Sequence, residues 1–284
     1  MIPAQFDYLR AGSVDEAVAA LAERGDDAKV LAGGQSLIPL LRLRLSYPEL
    51  VVDVSRVDEL RGVREDGDSI VVGAMTTHHD VIRDPLIKAH AGLVAEATET
   101  VADPAVRHLG TFGGALSHAD PAGDLPAVAL ALDAEFVIAG SGGRRTVAAA
   151  DFFVDYLQTA IEPDELLVEV RLPKLGEGWG FRYEKFHRVA QSWAIVGVAA
   201  AVQRSNGSIV AARIGLTNMG ATAIRASAVE EALSGTALDG VGAAAEHAAE
   251  GTSPPSDLNG QSDYREHLAR VLTRRAVMAA AGGR

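Results

Sequence analysis

The spacing of apolar residues in the first part of the chain predicts helices alternating with short strands. Ser13 and Glu16 have the positions of a capping box, and the apolar residues after them predict an amphipathic helix ending near Arg24. The pattern then predicts a buried strand, a tight glycine turn, a helix and a second strand, at 29–32, 33–35, 36–45 and 51–54. This order is typical of a small parallel β-α-β unit.

The middle of the chain mixes strands with helices. Alternating apolar and polar residues on both sides of Asp66-Gly67-Asp68 predict a hairpin over 63–73. Helical spacing predicts helices that begin at 76 and that cover 89–101 and 124–132, and strands are predicted at 135–139 and 165–172. We expect a larger, mainly antiparallel sheet with helices packed on it.

The last third of the chain follows a glycine-rich segment over 173–180, which is the best linker candidate. Asn206-Gly207 between two apolar runs is a strong hairpin signal. Strands are predicted at 181–186, 194–204 and 209–216, helices at 225–233 and 264–280, and a long loop at 250–262. The fold class predicted is therefore α+β, with three parts: 1–55, 56–175 and 176–284.

Composition narrows the classes of function. The 284 residues carry a net charge of -12, which argues against nucleic-acid binding through clustered basic residues. The chain has no cysteine, so disulfides, thiolate nucleophiles and iron–sulfur ligation by this chain are excluded. No signal peptide or membrane span is evident in the sequence, and we expect a cytoplasmic protein.

Two glycine-rich segments carry the most specific signal. They are Ala32-Gly33-Gly34-Gln35-Ser36-Leu37 and Thr111-Phe112-Gly113-Gly114-Ala115-Leu116-Ser117. Exposed N–H groups in glycine turns, with a nearby hydroxyl, form a cradle for anionic oxygens, and two cradles suit the two phosphates of a dinucleotide. The alternative for either segment taken alone is a tight turn that binds nothing. Neither segment has the Rossmann pattern, and no P-loop occurs in the chain.

The second segment continues into Ala119-Asp120-Pro121-Ala122-Gly123-Asp124-Leu125-Pro126. With both motifs in place, the chain resembles the FAD-binding subunit of the molybdenum hydroxylases, the group that contains xanthine, carbon monoxide and nicotine dehydrogenases. The resemblance covers essentially the whole chain. It implies a two-subdomain FAD-binding fold followed by a C-terminal domain of antiparallel sheet and helices, and it implies non-covalent FAD.

The resemblance also implies site residues. The pyrophosphate cradle would consist of Ala32, Gly33, Gly34, Gln35, Ser36, Leu37, Thr111, Gly113, Gly114, Ala115 and Ser117. Asp124 matches an acid that accepts hydrogen bonds from ligand hydroxyls, or it caps the next helix. Leu167 matches a residue against the flavin, or it is a core leucine. Lys185 matches a basic residue near the isoalloxazine ring, or it is a solvated lysine, and Trp193 lies where some members carry an aromatic residue over the ring.

The implied function is electron transfer within a larger enzyme. The 2Fe-2S clusters and the molybdopterin would be held by a small and a large partner subunit, in a dimer of heterotrimers, and the FAD would pass electrons to an external acceptor. This chain would then contribute cofactor-binding residues, with no catalytic residue and no metal ligand of its own. The alternatives are a free-standing FAD-dependent oxidoreductase acting on a small organic substrate, a non-catalytic nucleotide-binding module, and a scaffold subunit without cofactor.

Overall fold

The structure is a computed structural model that describes residues 2–282. Its N-terminal part is a parallel three-stranded sheet in the order β1-β3-β2, built from β1 (Asp7–Arg10), β2 (Ala28–Leu31) and β3 (Leu50–Asp53). Helices α1 (Val14–Arg24) and α2 (Leu37–Leu43) connect these strands. The parallel unit predicted from the sequence is confirmed, and β1 adds a strand to it.

Half of the capping box expected at the start of α1 is present. Ser13 caps the helix by accepting a hydrogen bond from the amide of Glu16, at 3.1 Å. The carboxylate of Glu16 accepts from the amide of Gly12, at 2.7 Å, instead of from that of Ser13. The apolar face of α1 then packs between the first sheet and the second one, against residues such as Val52, Leu60 and Val168.

The second sheet is antiparallel throughout, in the order β4-β5-β10-β6-β7. Its strands are β4 (Val63–Asp66), β5 (Ser69–Gly73), β6 (Glu135–Gly140), β7 (Gly143–Ala148) and β10 (Leu166–Pro173), and a separate hairpin is formed by β8 (Phe153–Asp155) and β9 (Gln158–Thr159). The helices of this part are α3 (His78–Arg83), α4 (Pro85–His90), α5 (Gly92–Glu99), α6 (Pro104–Leu109), α7 (Phe112–His118), α8 (Asp124–Ala131) and α9 (Ala149–Phe152).

The C-terminal part is an antiparallel sheet in the order β11-β12-β13-β14, covered by helices. Its elements are β11 (Trp179–Phe186), β12 (Val196–Ser205), β13 (Ser208–Thr217), β14 (Ile224–Arg225), α10 (Ser227–Leu233), α11 (Val241–Ala245) and α12 (Ser262–Ala280). The α+β class, with a parallel unit, a larger antiparallel sheet and a C-terminal antiparallel sheet, is confirmed. The exact bounds of the three parts stay a prediction.

Strand β12 joins two hydrophobic cores, because both of its faces are buried. Val196, Val198 and Ala200 pack under α12, whereas Ala199 and Ala201 belong to the core of the middle part. Burial on both faces explains why this strand is a continuous apolar run without alternation. On the neighbouring strand, a β-carbon at Gly215 would overlap the carbonyl oxygen of Ala127, so α8 lies directly on the C-terminal sheet.

Two predictions about secondary structure were wrong. The helix expected over 89–101 is broken, because α4 ends at His90, Ala91 leaves the helical conformation (φ -138, ψ 45) and α5 begins at Gly92. The second glycine-rich segment, expected as a turn, is helical: it consists of the N-cap residue Thr111 and all of α7 except its last residue, His118. Among the described residues, no helix combines the length and hydropathy needed to cross a membrane.

Candidate functional site

The first glycine-rich segment connects β2 to α2 and leaves its backbone donors free. Gly34 has φ +72, a conformation that favours glycine. Within residues 2–282, no group accepts a hydrogen bond from the amides of Gly33, Gly34, Gln35 or Ser36. Ser36 is the N-cap residue of α2, and its hydroxyl makes no capping hydrogen bond. This segment is therefore an array of unpaired donors with a hydroxyl at its end, as an anion site requires.

The second segment is built differently. The amides of Phe112 and Gly113 donate to the carbonyl oxygens of Thr76 and Ala74, each at 2.9 Å. The amide of Gly114 donates to Oγ1 of Thr111, the N-cap residue of α7, at 3.1 Å. The donors expected to be free are thus used within the chain, because the segment is tied to residues 74–78 and continues as a helix. Of its glycines, Gly113 lets α7 pack against Ala74, whose Cβ would lie 2.5 Å from a β-carbon there, and Gly114 leaves a surface without a side chain.

The two segments touch each other. A β-carbon at Gly33 would overlap the carbonyl oxygen of Leu109 and would lie 2.8 Å from Cα of Gly110. A β-carbon at Gly114 would lie 3.7 Å from Cβ of Ala32. The loop after β2 therefore packs directly on the residues that precede and begin α7. This close approach is possible because Gly33 and Gly114 have no side chain.

Both segments line a single cavity of about 880 Å³, which is a volume typical of cofactor pockets. All the residues that the sequence analysis assigned to the site line it: Ala32, Gly33, Gly34, Gln35, Ser36, Leu37, Thr111, Gly113, Gly114, Ala115, Ser117, Asp124, Leu167, Lys185 and Trp193. Other residues that line the cavity were not predicted for the site, including Met75, His78, Ala102 and the hairpin tip at Leu157 and Gln158. These residues are scattered along the chain and belong to no motif, so the sequence carries no signal that assigns them to a cavity wall.

One wall of the cavity is a buried ion pair. Nζ of Lys185 lies 2.8 Å from Oδ2 of Asp124, and each side chain is 4% exposed. The hydroxyl of Tyr183 donates to Oδ1 of the same carboxylate at 2.7 Å. The pKa of Asp124 lies above its ordinary value, because the effect of burial exceeds the lowering by Lys185 and Tyr183. The two donors oppose this shift by stabilising the carboxylate form.

These contacts decide between alternatives that the sequence left open. Asp124 does not cap α8, because Gly123 is the N-cap residue and Asp124 is already helical. Lys185 is not a solvated strand lysine, since its ammonium is buried and also donates to the carbonyl oxygen of Thr100, at 3.1 Å. The carboxylate and the ammonium come from α8 and β11, which are far apart in sequence and meet only in the fold.

The other two predicted residues lie at opposite depths. Leu167 is 3% exposed on β10, next to a register shift in its pairing with β6, so it is both a core residue and part of the cavity wall. Trp193 is 55% exposed at the rim, with its ring 6.5 Å from that of His118. His118 is the last residue of α7.

His78 is a buried histidine on the cavity wall. Its backbone amide donates to the carbonyl oxygen of Gly110 at 2.9 Å, and its Nδ1 has no partner among the described residues. Burial, with a contribution from Arg107, lowers the pKa of His78 from 6.5 to about 4. The imidazole is therefore neutral at neutral pH.

This shift predicts a pH dependence of stability. Between those two pKa values the unfolded chain binds a proton that the folded chain does not, so stability is complete above about pH 6.5 and is lost as the pH falls toward 4. His78→Leu should reduce the loss of unfolding free energy between about pH 7 and pH 5 by about 2 kcal/mol. Urea titrations at both pH values measure it, with His267→Leu, at an exposed position on α12, as the control. Equal pH dependence in the His78 variant and the unsubstituted chain would contradict the prediction.

Residues 4–175 match the model of the FAD binding domain in molybdopterin dehydrogenase, and residues 181–280 match the CO dehydrogenase flavoprotein C-terminal domain. The chain belongs to the FAD-binding subunits of the molybdopterin dehydrogenases. The resemblance seen in the sequence is thereby confirmed, and homologous subunits of this family are parts of oxidoreductases.

Relatives in this family match along almost their whole length. The carbon monoxide dehydrogenase medium chain of Hydrogenophaga pseudoflava is 43% identical over 99% of this chain and 98% of that protein. The nicotine 6-hydroxylase medium subunit of Paenarthrobacter nicotinovorans is 34% identical, over 96% of each chain. Among solved structures, carbon monoxide dehydrogenase from Hydrogenophaga pseudoflava aligns with a TM-score of 0.96 at 45% identity, covering 99% of both chains. Quinoline 2-oxidoreductase from Pseudomonas putida 86 aligns at 0.94 and 36%, again over 99% of both.

The residues present fit the FAD of this family. The free amides between Gly33 and Ser36 offer donors for phosphate oxygens, and the bare surface at Gly114 lets a ligand approach the backbone. A side chain at Gly114 would displace the capping hydroxyl of Thr111, because its β-carbon would lie 2.6 Å from Oγ1. The donor set and the cavity volume thus suit a dinucleotide.

Proposed function

We propose that this chain is the FAD-carrying electron-transfer subunit of a multi-subunit molybdenum hydroxylase. It takes electrons from 2Fe-2S clusters of a partner subunit and passes them to an external acceptor. The observation that carries the proposal is the contact between the two glycine-rich segments within one cavity that the Asp124–Lys185 pair also lines. In a dinucleotide bound here, the segments would hold the diphosphate and the ion pair would supply charge near the ring system.

The roles of the residues follow from their free groups. The amides of Gly33 to Ser36 and the hydroxyls of Ser36 and Thr111 bind the diphosphate, while Gly114 and Ala115 leave room for it. Asp124 keeps unused lone pairs on both oxygens and accepts from a ligand hydroxyl. The flavin supplies the redox chemistry. Lys185 stabilises negative charge on the reduced ring electrostatically, and Leu167 and Trp193 bound the space that the ring occupies.

The partners follow from what the chain lacks. Without cysteine it offers no thiolate ligands for an iron–sulfur cluster. We assign the clusters to a small iron–sulfur subunit and the molybdopterin to a large subunit, in a dimer of heterotrimers. Relatives described as medium chains, such as that of carbon monoxide dehydrogenase, support an assembly of several subunits.

The deciding experiment compares the chain alone with the chain in its assembly. We expect the purified chain to take up FAD, followed by the visible absorbance of bound flavin, and to show no turnover of small organic substrates by itself. Co-expressed with the genes encoded beside it, it should co-purify with an iron–sulfur and a molybdopterin subunit. Independent turnover would favour a free-standing flavin oxidoreductase instead, and a colourless chain that cannot be loaded with FAD would refute the proposal.

A further inference from the structure

A tyrosine lies behind the ion pair of the cavity wall. Asp124 and Lys185 line the cavity, whereas the side chain of Tyr183 is packed in the hydrophobic core of the middle part and is 5% exposed. Its hydroxyl donates to Oδ1 of Asp124 at 2.7 Å, and Lys185 donates to Oδ2 at 2.8 Å. One carboxylate is thus held by two donors, one from the cavity side and one from the core side.

The hydroxyl of Tyr183 occupies a space between the neighbouring strands β12 and β13. Gly197 on β12 pairs in register with Lys185 on one side and with Thr217 on the other. A β-carbon at Gly197 would lie 2.5 Å from the hydroxyl oxygen of Tyr183 and 3.0 Å from Cβ of Thr217. Oγ1 of Thr217 lies 3.3 Å from the same hydroxyl. The absence of a side chain at Gly197 is therefore what allows the hydroxyl to reach Asp124.

The charges around the pair define what the tyrosine does. Burial and the negative charge of Asp124 raise the pKa of Tyr183 well above 10, so the phenol stays protonated and donates. Burial raises the pKa of Asp124, and the hydrogen bond from Tyr183 reduces that rise, as do Lys185 and His187. The other titratable groups on elements packed against α8 are Glu96 and Glu99 on α5, His118 on α7, Asp151 on α9, Arg204 on β12, Arg213 on β13 and Arg225 on β14.

We propose that Tyr183 is a positioning residue of the flavin site: through Asp124 it holds the Lys185 ammonium at the cavity wall with its counter-ion ionised. This inference rests on the proposed function. Without the phenol, Asp124 loses one of its two donors in a buried place and takes up a proton at higher pH. Lys185 then faces the flavin without a counter-ion, which favours the reduced flavin and raises its reduction potential.

The test is the pH profile of the flavin midpoint potential in FAD-loaded full-length chain. Protonation of Asp124 should give a step in this profile, with a higher potential on its acid side. In Tyr183→Phe we expect this step at a pH about one to two units higher than in the unsubstituted chain, as expected for loss of a hydrogen bond to a charged group. Gly197→Ala should move the step in the same direction. This variant keeps the hydroxyl of Tyr183, but the new methyl group displaces that hydroxyl from Asp124. Thr217→Val removes only the longer contact and should leave the profile almost unchanged.

The outcomes separate this inference from the proposed function. Profiles of Tyr183→Phe and Gly197→Ala that superimpose on that of the unsubstituted chain, with FAD bound and the circular dichroism unchanged, would overturn the role of Tyr183 alone. An unsubstituted chain that takes up no FAD would refute the proposed function, and this inference with it. A loss of stability without any change in profile would likewise show that Tyr183 has only a packing role.

Discussion

Replacing Gly33 with alanine is expected to lower the affinity for FAD by about 100-fold or more, because binding depends on two backbone segments that the substitution forces apart. The new β-carbon would overlap the carbonyl oxygen of Leu109 and crowd Cα of Gly110. Neither atom belongs to a flexible side chain, so the loop after β2 must move. Overpacking of this kind costs about 1–3 kcal/mol in unfolding free energy. The displaced amides of Gly34 to Ser36 are then no longer oriented to donate to the phosphate oxygens.

A titration of the chain with FAD, followed by flavin fluorescence, measures this effect. Gly142→Ala is the matched control, because a β-carbon there meets nothing within 4 Å and its φ is not in the left-handed region. Circular dichroism separates lost binding from lost folding. Unchanged FAD affinity in folded Gly33→Ala would contradict the assignment of the first segment to the diphosphate.

Lys185→Met is expected to lower the reduction potential of the bound flavin, by about 30 mV or more for a two-electron couple, which corresponds to about 1.4 kcal/mol. The ammonium on the cavity wall favours negative charge on the reduced ring, and methionine removes that charge while keeping the aliphatic stem. Because Lys185 and Asp124 are each 4% exposed, the substitution also leaves a buried carboxylate without its counter-ion. Breaking a buried pair costs about 3–5 kcal/mol in unfolding free energy.

Asp124→Asn should change the flavin reduction potential in the opposite direction. It leaves the ammonium without its counter-ion, so the potential should rise instead of fall. The double variant Asp124→Asn with Lys185→Met should recover part of the stability, since neither charge is then unpaired. Lys88→Met, at an exposed position on α4, should change neither potential nor stability. A potential that does not respond to Lys185→Met would place the flavin ring elsewhere in the cavity.

Much of the fold and of the candidate site could be predicted from the sequence. The pattern of apolar residues predicted the parallel unit, the hairpin over 63–73 and the long strands of the C-terminal sheet, because burial of one face imposes a repeat and burial of both faces gives an uninterrupted apolar run. The capping box at Ser13 and the Asn206-Gly207 turn are local signals that depend on few distant contacts. The paired glycine motifs identified the family, and every residue assigned to the site lines the same cavity.

The helix that begins at Phe112 shows where local signals fail. Two adjacent glycines disfavour a helix by about 1 kcal/mol each relative to alanine, so the sequence favours a turn there. In the fold, the carbonyl oxygens of Thr76 and Ala74 accept the first amides of the segment and Thr111 caps it, and these contacts outweigh the local preference. The sequence does not show the two carbonyl partners, because Ala74 and Thr76 lie more than thirty residues before the segment.

The sequence by itself determined the order of elements, the fold class and the two motifs, since each follows from residues close together along the chain. Only the tertiary structure decided that Lys185 is a buried partner of Asp124, that Tyr183 stands behind the pair, and that the segments at Gly33 and Gly114 touch. Charge pairing and close backbone approach depend on distances between remote residues, and side-chain patterns along a chain do not encode those distances.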